Sequence, residues 1–431
     1  MKSILSLCLT FAGLCAVVQV HHVPEHHNNH DGQRDKKPPA QPSPVRGNVR
    51  SEHVAVEQVA ASNADFAFKL YQQIRSETAG KNIFFSPLSI STAFAMLTLG
   101  ARSATLRQIH EALSFNLTVS EEKEIHEGFH HLIRMLNLPD SHIQLNMGNA
   151  LFVDDRLKPL EKFLDDAKRL YESEAFESNF QNSAEAEKQI NDYIKNKTLG
   201  KITNLVKDLD PLTAMVLVNY IFFKARWEKP FSNLLTEEDD FFVDAKTSVK
   251  VKMMNKEKEY KIHHDKKLSC RVVEIPYRGN AVALFILPDK GKMKKVENAL
   301  LKETVSKWKK SLQQSTINLY LPAFSISGTY DVKELLQKMG VTDVFSDQAD
   351  LSGITGECDL KVSKAVHKAV VDVHENGTEA AAVTVVETMY FSAALFDPPT
   401  IKFNRPFLML IADKAIRSIL FIGKIVNPTE K

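Results

Sequence analysis

The chain has 431 residues, 44% of them hydrophobic and 25% charged, which is enough for one large globular domain or two ordinary ones. Its net charge of +2 gives no reason to expect a nucleic-acid partner. Residues 1–20 combine Lys2, an apolar run and small residues near Ala16, the pattern of a secretory signal peptide and not of a membrane span. Since no later apolar run is long enough to span a bilayer, we expect a secreted, extracellular protein without a membrane partner.

Residues 21–50 form a polar tail rich in His, Asn and Pro, which predicts disorder. Five histidines in it could bind a metal weakly, but a solvated tail explains them, so neither a metal nor another cofactor is predicted. No linker or repeat interrupts residues 51–431, which should form one domain. Outside the signal only Cys270 and Cys358 remain; they are too few for a disulfide framework, and the sequence leaves their pairing open.

Helix-period patterns dominate the first half of this domain and strand-like runs the second, which predicts the α+β class and not a βαβ repeat. The segment MVLVNYIFFKARW is too β-branched and aromatic for a surface helix and predicts a long buried strand. Helices are predicted at 63–74, 89–99, 103–114, 120–136, 158–172, 184–198 and 332–339. Strands are predicted at 83–87, 149–153, 215–227, 247–254, 270–277, 281–287, 316–321, 324–328, 365–373, 400–403, 407–412 and 419–426.

Glu375–Pro399 has the character of both a strand and a loop. Read with strand period, its even positions from Thr378 to Thr388 are all small or β-branched and uncharged, so one face could be buried in a sheet. The segment nevertheless ends in bulky residues and in Pro398-Pro399, as an exposed loop would.

The segment from His126 to His130 matches the zinc-protease motif H-E-x-x-H. The extended form of the motif fails at Ile133 and Leu136, the preceding residues are charged, and Gly128 weakens the helix. A solvated helix face is therefore the preferred interpretation. The sequence contains no nucleophile elbow, P-loop or dinucleotide fingerprint, so we do not expect an enzyme.

Two kinds of surface site are indicated. A lysine-rich stretch could bind a sulfated polysaccharide, although a plain solvated face also explains it. Sequons predict glycosylation at Asn116 and Asn196, whereas a third at Asn376 is expected to be mostly unmodified because a glycan would obstruct burial of the segment that follows. The lysines are Lys290, Lys292, Lys294, Lys295, Lys302, Lys307, Lys309 and Lys310.

From about residue 55 to its C-terminus the sequence resembles the serpin family, specifically the secreted antitrypsin- and antichymotrypsin-like members. Each matching string is weak alone, but the ordered set is specific. The strings are Asn82-Ile83-Phe84-Phe85-Ser86-Pro87, Val218-Asn219-Tyr220-Ile221-Phe222-Phe223-Lys224, Ser363-Lys364-Ala365-Val366-His367-Lys368, Gly377-Thr378-Glu379-Ala380-Ala381-Ala382, Phe403-Asn404-Arg405-Pro406-Phe407 and Phe421-Ile422-Gly423-Lys424 with Asn427-Pro428.

The resemblance implies a serpin fold of three β-sheets and about nine helices, with Glu375–Pro399 as an exposed reactive-centre loop. It implies a monomeric serine protease inhibitor that acts as a suicide substrate. The protease forms an acyl-enzyme on the loop, and the cut loop then inserts into the central sheet and carries the protease about 50 Å. This succession of states would account for the double character of the segment.

Family spacing from Glu375 implies that the reactive bond is Phe391–Ser392. Counting back from the downstream motif would give Leu395 instead, and Tyr390 is the near alternative. An aromatic residue before the bond suits an apolar primary pocket, so the expected partner is a chymotrypsin-like protease of the chymotrypsin, cathepsin G or chymase class.

The resemblance also assigns two residue sets. The hinge residues are Glu375, Gly377, Thr378, Glu379, Ala380, Ala381 and Ala382. The polar cluster beneath the central sheet, called the shutter, is Ser86, Ser89, Asn219 and His367. Ala323 occupies the place of a lysine that pairs with the hinge glutamate in antitrypsin, so Glu375 is expected to lack that partner. The alternative function is a non-inhibitory serpin that carries a small hydrophobic hormone; such carriers commonly have hinge residues that impede insertion, and this hinge does not.

Overall fold

The computed structural model describes residues 46–115, 121–137, 143–378 and 397–430. Val45–Lys431 form one compact unit. The helices are α1 (Arg46–Glu77), α2 (Pro87–Thr98), α3 (Ser103–Ala112), α4 (Glu122–Leu136), α5 (Glu161–Tyr171), α6 (Ser183–Lys197), α7 (Met293–Asn298), α8 (Lys302–Ser311), α9 (Val332–Lys338) and α10 (Ser352–Thr355), with short 3-10 helices at Asn233–Leu235 and Asp343–Phe345. The strands are β1 (Ile83–Phe85), β2 (Ile143–Asp154), β3 (Glu174–Ser178), β4 (Met215–Ala225), β5 (Glu237–Phe242), β6 (Ser248–Asp265), β7 (Cys270–Pro276), β8 (Ala281–Pro288), β9 (Gln313–Pro322), β10 (Phe324–Asp331), β11 (Lys364–Val373), β12 (Thr400–Lys402), β13 (Phe407–Asp413) and β14 (Ile419–Ile425).

Helix α1 begins at Arg46 and so includes the last residues of the segment predicted to be a disordered tail. Its early turns are held by α4, since Val56 and Val59 are buried in the core. Gly128 of α4 makes this packing possible, because a Cβ atom there would lie 2.8 Å from the carbonyl oxygen of Ala55. The glycine that weakens α4 locally therefore allows the two helices to approach closely.

The strands of the described residues form a five-stranded sheet, in the order β10-β11-β4-β2-β3, and a nine-stranded one. The family resemblance implied three sheets. The long strand β6 accounts for the difference, because its first part pairs with β5 and β9 and its last part with β7. Two of the three expected sheets thus share β6 as a continuous hydrogen-bonded strand.

Strand β4 is buried on both faces, as its sequence predicts. Val216, Val218, Tyr220 and Phe222 pack with residues of α6 in a smaller core. The alternate residues pack into the main core, which contains α2. Asn219 has the parity of this second set, so the strand places one amide side chain on its main-core face.

The two cysteines of the described residues are free, Cys270 buried and Cys358 exposed. The described part of the chain contains no helix that is both long and apolar enough to cross a bilayer.

Candidate functional site

The central feature of the five-stranded sheet is the pairing between β11 and β4, which we call the seam. The two strands are parallel and are in register from Lys364 opposite Val216 to Val370 opposite Phe222. Because both run in the same direction, a strand antiparallel to each could hydrogen-bond to both if the seam opened.

A row of polar side chains crosses the seam. Tyr330, His367, Asn219 and Asn149 are register partners on the adjacent strands β10, β11, β4 and β2. The rings of Tyr330 and His367 are stacked, with their centroids 6.3 Å apart. His367 Nδ1 lies 2.5 Å from Asn219 Oδ1, and Asn219 Nδ2 donates to Asn149 Oδ1 at 2.6 Å. The contact between His367 and Asn219 therefore joins the two sides of the seam.

The N-terminus of α2 lies against this row. Ser86 is the N-cap of the helix, and its hydroxyl accepts from the Ser89 amide at 3.2 Å. The Ser86 amide donates to His367 Nε2 at 3.2 Å, and the Ser89 hydroxyl donates to Asn219 Oδ1 at 2.7 Å. All four residues are buried. The structure thus brings together Ser86, Ser89, Asn219 and His367.

These contacts determine the protonation of His367. Since Nε2 accepts a hydrogen bond from the Ser86 amide, the ring proton lies on Nδ1 and is donated to Asn219 Oδ1. Burial lowers the pKa of His367 to about 3, because a charged ring would be desolvated. The imidazole is therefore neutral near pH 7.

The chain leaves β11 through a two-residue turn. The His374 amide donates to the Gly377 carbonyl at 2.7 Å and the Gly377 amide donates back to the His374 carbonyl at 3.0 Å, so Glu375 and Asn376 form the turn. Gly377 has φ +131°, and a Cβ atom there would lie 2.2 Å from the carbonyl oxygen of Ala225. Only glycine suits this position.

After the turn the chain runs antiparallel along the end of β4. The Trp227 amide donates to the Asn376 carbonyl at 2.9 Å, Gly377 bridges Arg226, and the Thr378 amide donates to the Ala225 carbonyl at 2.6 Å. The Thr378 hydroxyl also accepts from the Ala225 amide at 2.8 Å. Thr378 is only 1% exposed, so the first residue after the turn is already seated on β4, beside the seam.

Glu375 has a hydrogen-bond partner, although not a lysine. Its Oε1 accepts from the Thr236 hydroxyl at 2.8 Å, and its carbonyl accepts from the Phe231 amide at 2.8 Å. Because Ala323 replaces the lysine, the sequence predicted only that Glu375 would lose an ion pair. The structure shows that the segment before β5 supplies a neutral donor instead.

The remaining predicted sites are placed as follows. Asn196 is exposed in the last turn of α6. Lys302, Lys307 and Lys310 line an open groove of about 640 Å³ beside α8, together with Glu303, Ser306 and Ser311. Lys302 is ion-paired with Asp65 at 2.6 Å. Outside the described residues lie Asn116, Glu379, Ala380, Ala381, Ala382, Phe391 and Ser392.

The prediction of a solvated helix face is wrong for His126 of the H-E-x-x-H segment, which is buried against side chains of α4 and α5. Its Nδ1 lies 2.5 Å from the Tyr171 hydroxyl and its Nε2 lies 3.7 Å from a carboxylate oxygen of Glu122. Within the described ranges no three His, Cys, Asp or Glu side chains are grouped to bind a metal ion.

Sequence reasoning missed three members of the site, namely Asn149, Tyr330 and Thr236. Asn149 precedes the apolar run ALFV and Asn219 interrupts another, and that repeated interruption could have suggested that they are neighbours. Tyr330 and Thr236 have no such signal, because their roles depend on the register of β10 and on the path before β5.

Comparisons with known proteins show the family of the chain. The model of the family Serpin (serine protease inhibitor) matches residues 61–428. Alpha-1-antichymotrypsin of Homo sapiens is 48% identical over 438 residues, covering 100% of this chain and 99% of that protein. Alpha-1-antitrypsin of Sus scrofa is 47% identical over 423 residues, covering 98% of each.

Solved structures show the same likeness. Human thyroxine-binding globulin in complex with its hormone superposes with a TM-score of 0.83 at 47% identity, covering 87% of this chain and all of that one. Human glycosylated kallistatin gives 0.82 at 46% identity, covering 88% and 100%. The family match, the fold and the seam with its hinge lead to one conclusion: the chain belongs to the serpin family of serine protease inhibitors.

Proposed function

We propose that this serpin is a secreted suicide inhibitor of a chymotrypsin-like serine protease, trapping it as an acyl-enzyme when the cleaved loop inserts into the seam. The observation that carries the proposal is the register between the hinge and β4. Three consecutive pairs, Asn376 with Trp227, Gly377 with Arg226 and Thr378 with Ala225, already run antiparallel to β4.

Extending this register one residue at a time gives the inserted state. Thr388 would lie opposite Met215, the first residue of β4, and Thr384 would lie opposite Asn219. The scissile residue Phe391 would pass beyond the strand, opposite Leu212, which is 82% exposed. An acyl-enzyme on Phe391 would therefore be carried past the N-terminal end of β4, at the end of the sheet that is far from the hinge.

The same register predicts which side chains enter the core. Residues directly opposite in an antiparallel pair point to the same face. The even loop positions would face the main core with Ile221 and Phe223, whereas the odd positions would share the face of Phe222 and Lys224. The small uncharged residues at even positions fit the first face, and Glu379 and Glu387 fall at the two ends of the second.

Insertion also requires the polar row to open. The bond from His367 to Asn219 would break, and Thr384 would lie between them. The Thr384 hydroxyl could accept from His367 Nδ1 and donate to Asn219 Oδ1. It could therefore replace the lost contact without leaving a buried polar atom unpaired.

The alternative, a carrier of a small hydrophobic hormone, is supported by the likeness to thyroxine-binding globulin. The hinge of this chain favours the inhibitor, because Thr378, Ala380 and Ala382, which would face the main core, are small and uncharged, and no proline lies among residues 378–382.

Incubation with chymotrypsin or trypsin, followed by denaturing electrophoresis, tests the proposal. We expect an SDS-stable complex with chymotrypsin and cleavage after Phe391, whereas the variant Phe391→Arg should form the complex with trypsin instead. Cleavage without a complex, together with no thermal stabilisation of the cut protein, would exclude the inhibitor. Saturable binding of thyroxine by such a protein would then favour the carrier.

A sulfated polysaccharide would bind in the α8 groove through Lys307 and Lys310. Retention on immobilised heparin that falls in a Lys307→Ala, Lys310→Ala double variant tests this. The substitutions Lys188→Ala and Lys195→Ala, at exposed positions of α6, are the matched control.

A further inference from the structure

The turn between β11 and the reactive loop carries an N-glycosylation sequon, Asn376-Gly377-Thr378. The sequence alone argues against its use, on the view that Asn376 belongs to the segment that becomes buried. The structure places Asn376 differently, at the second of the two turn positions and half-buried. Burial begins only after it, at Gly377 and Thr378.

The position of the turn removes the steric objection. The chain has already reversed direction at Asn376, and Thr378 is the first residue seated on β4. Loop insertion, which is the proposed function and not a finding, would add residues after Thr378 and would leave the His374–Gly377 turn in place. Asn376 would therefore lie outside the seam both before and after insertion.

The environment of Thr378 indicates whether glycosylation would come before or after folding of the hinge. A sequon is read through the hydroxyl of its third residue, and in the folded protein this hydroxyl is buried and bonded to the Ala225 amide. Modification of the folded hinge is thus blocked, whereas the unfolded chain in the secretory pathway presents the sequon freely. We propose that Asn376 carries an N-linked glycan in the secreted protein, attached before the hinge folds.

The experiment uses the full chain secreted from cultured mammalian cells. The glycans are removed enzymatically in heavy-oxygen water, which converts each glycosylated asparagine into a labelled aspartate, and the peptide spanning residue 376 is analysed by mass spectrometry. We expect the heavy-oxygen label at position 376 in most molecules. Asn376→Gln should remove one glycan from the intact mass, as should Thr378→Val, whereas Thr378→Ser should retain it.

Asn196→Gln serves as the matched control, because it removes a sequon on the exposed end of α6 without touching the hinge. Recovery of the peptide mainly with unlabelled Asn376 overturns the proposal, as does an intact mass unchanged by Asn376→Gln.

Inhibition of chymotrypsin is measured separately. If neither the glycosylated form nor Asn376→Gln traps chymotrypsin, the proposed function fails while the glycan assignment stands. If only Asn376→Gln traps it, a glycan at the turn is incompatible with insertion.

Discussion

His367 and Asn219 face each other across the parallel pairing of the inner strands β11 and β4, with Nδ1 2.5 Å from Oδ1. The ring can make this contact and the one with Ser86 together only when it is neutral, because Nε2 must be unprotonated to accept from the Ser86 amide. A proton on Nε2 would set two donors against each other in a buried site. The histidine that closes the seam is thus held in its neutral form by the Ser86 amide.

Acid should therefore destabilise the native state. The pKa of His367 is lowered to about 3 by burial, against about 6.5 in the unfolded chain, so the unfolded state binds the extra proton as pH falls below 6.5. Stability should fall from about pH 6.5 down to about pH 3, by about 1.4 kcal/mol per pH unit, or about 2 kcal/mol at pH 5. Chemical denaturation at a series of pH values measures this slope.

His110 should add to the same trend, since burial lowers its pKa to about 4. It lies on α3, away from the seam, and therefore supplies a comparison. We expect His367→Asn and His110→Phe each to reduce the slope between pH 6 and 5 by about 1.4 kcal/mol per unit. A slope unchanged in His367→Asn would show that the imidazole is not neutral in the native state.

The register of the hinge predicts opposite results for two neighbouring alanines. Ala380 would be inserted opposite Phe223, which is fully buried in the main core, and Ala381 opposite Phe222, whose ring has Lys201 over it at 5.6 Å. We expect Ala380→Arg to be cleaved by chymotrypsin without forming a complex, because a charge would have to enter the core. Ala381→Arg should keep most of its inhibition, because arginine can reach solvent past Phe222.

The measurement is the number of inhibitor molecules consumed per protease trapped, which should rise at least several-fold for Ala380→Arg alone. The two variants start from the same residue and gain the same charge, so a general effect of charge on the loop would raise both equally. That result, or a larger effect at Ala381, would contradict the register.

The sequence predicted the two strands of the seam, but neither their parallel pairing nor all the contacts around it. The run MVLVNYIFFKA indicated a strand buried on both faces, and it is one, because side chains of alternate parity pack in separate cores. The early start of α1 was missed, since the part of the helix around Ala55 and Val59 packs against Gly128 of another helix. A contact between distant segments leaves no periodicity, and for the same reason Thr236 was not found as the partner of Glu375.

The bond from Thr236 to Glu375 should stabilise the hinge turn. Its length is 2.8 Å, and a hydrogen bond to a charged acceptor contributes about 1.5–3 kcal/mol when well shielded, less where solvent reaches it. We expect Thr236→Val and Glu375→Met, each of which removes one partner of the bond, to lower the free energy of unfolding by about 1 kcal/mol. The double variant should cost little more than either single one. Additive losses in such a double-mutant cycle would show that the two side chains act independently.

A buried ion pair far from the hinge offers the largest expected loss of stability. Lys424 Nζ of β14 lies 3.0 Å from Glu297 Oε1 of α7, and the Tyr71 hydroxyl of α1 donates to the same oxygen at 2.7 Å. Both charged side chains are less than 10% exposed. Removing Glu297 leaves Lys424 buried without its counterion, which costs about 3–5 kcal/mol. Removing Lys424 should cost less, because Arg75 Nη1 lies 4.0 Å from the second carboxylate oxygen of Glu297. We therefore expect Glu297→Gln and Lys424→Met each to lower the thermal midpoint by several degrees.

The double variant Glu297→Leu, Lys424→Met should recover much of the loss, because it removes both charges of the pair. A double variant as unstable as the sum of the two would mean that packing at this junction, and not charge compensation, holds α1, α7 and β14 together.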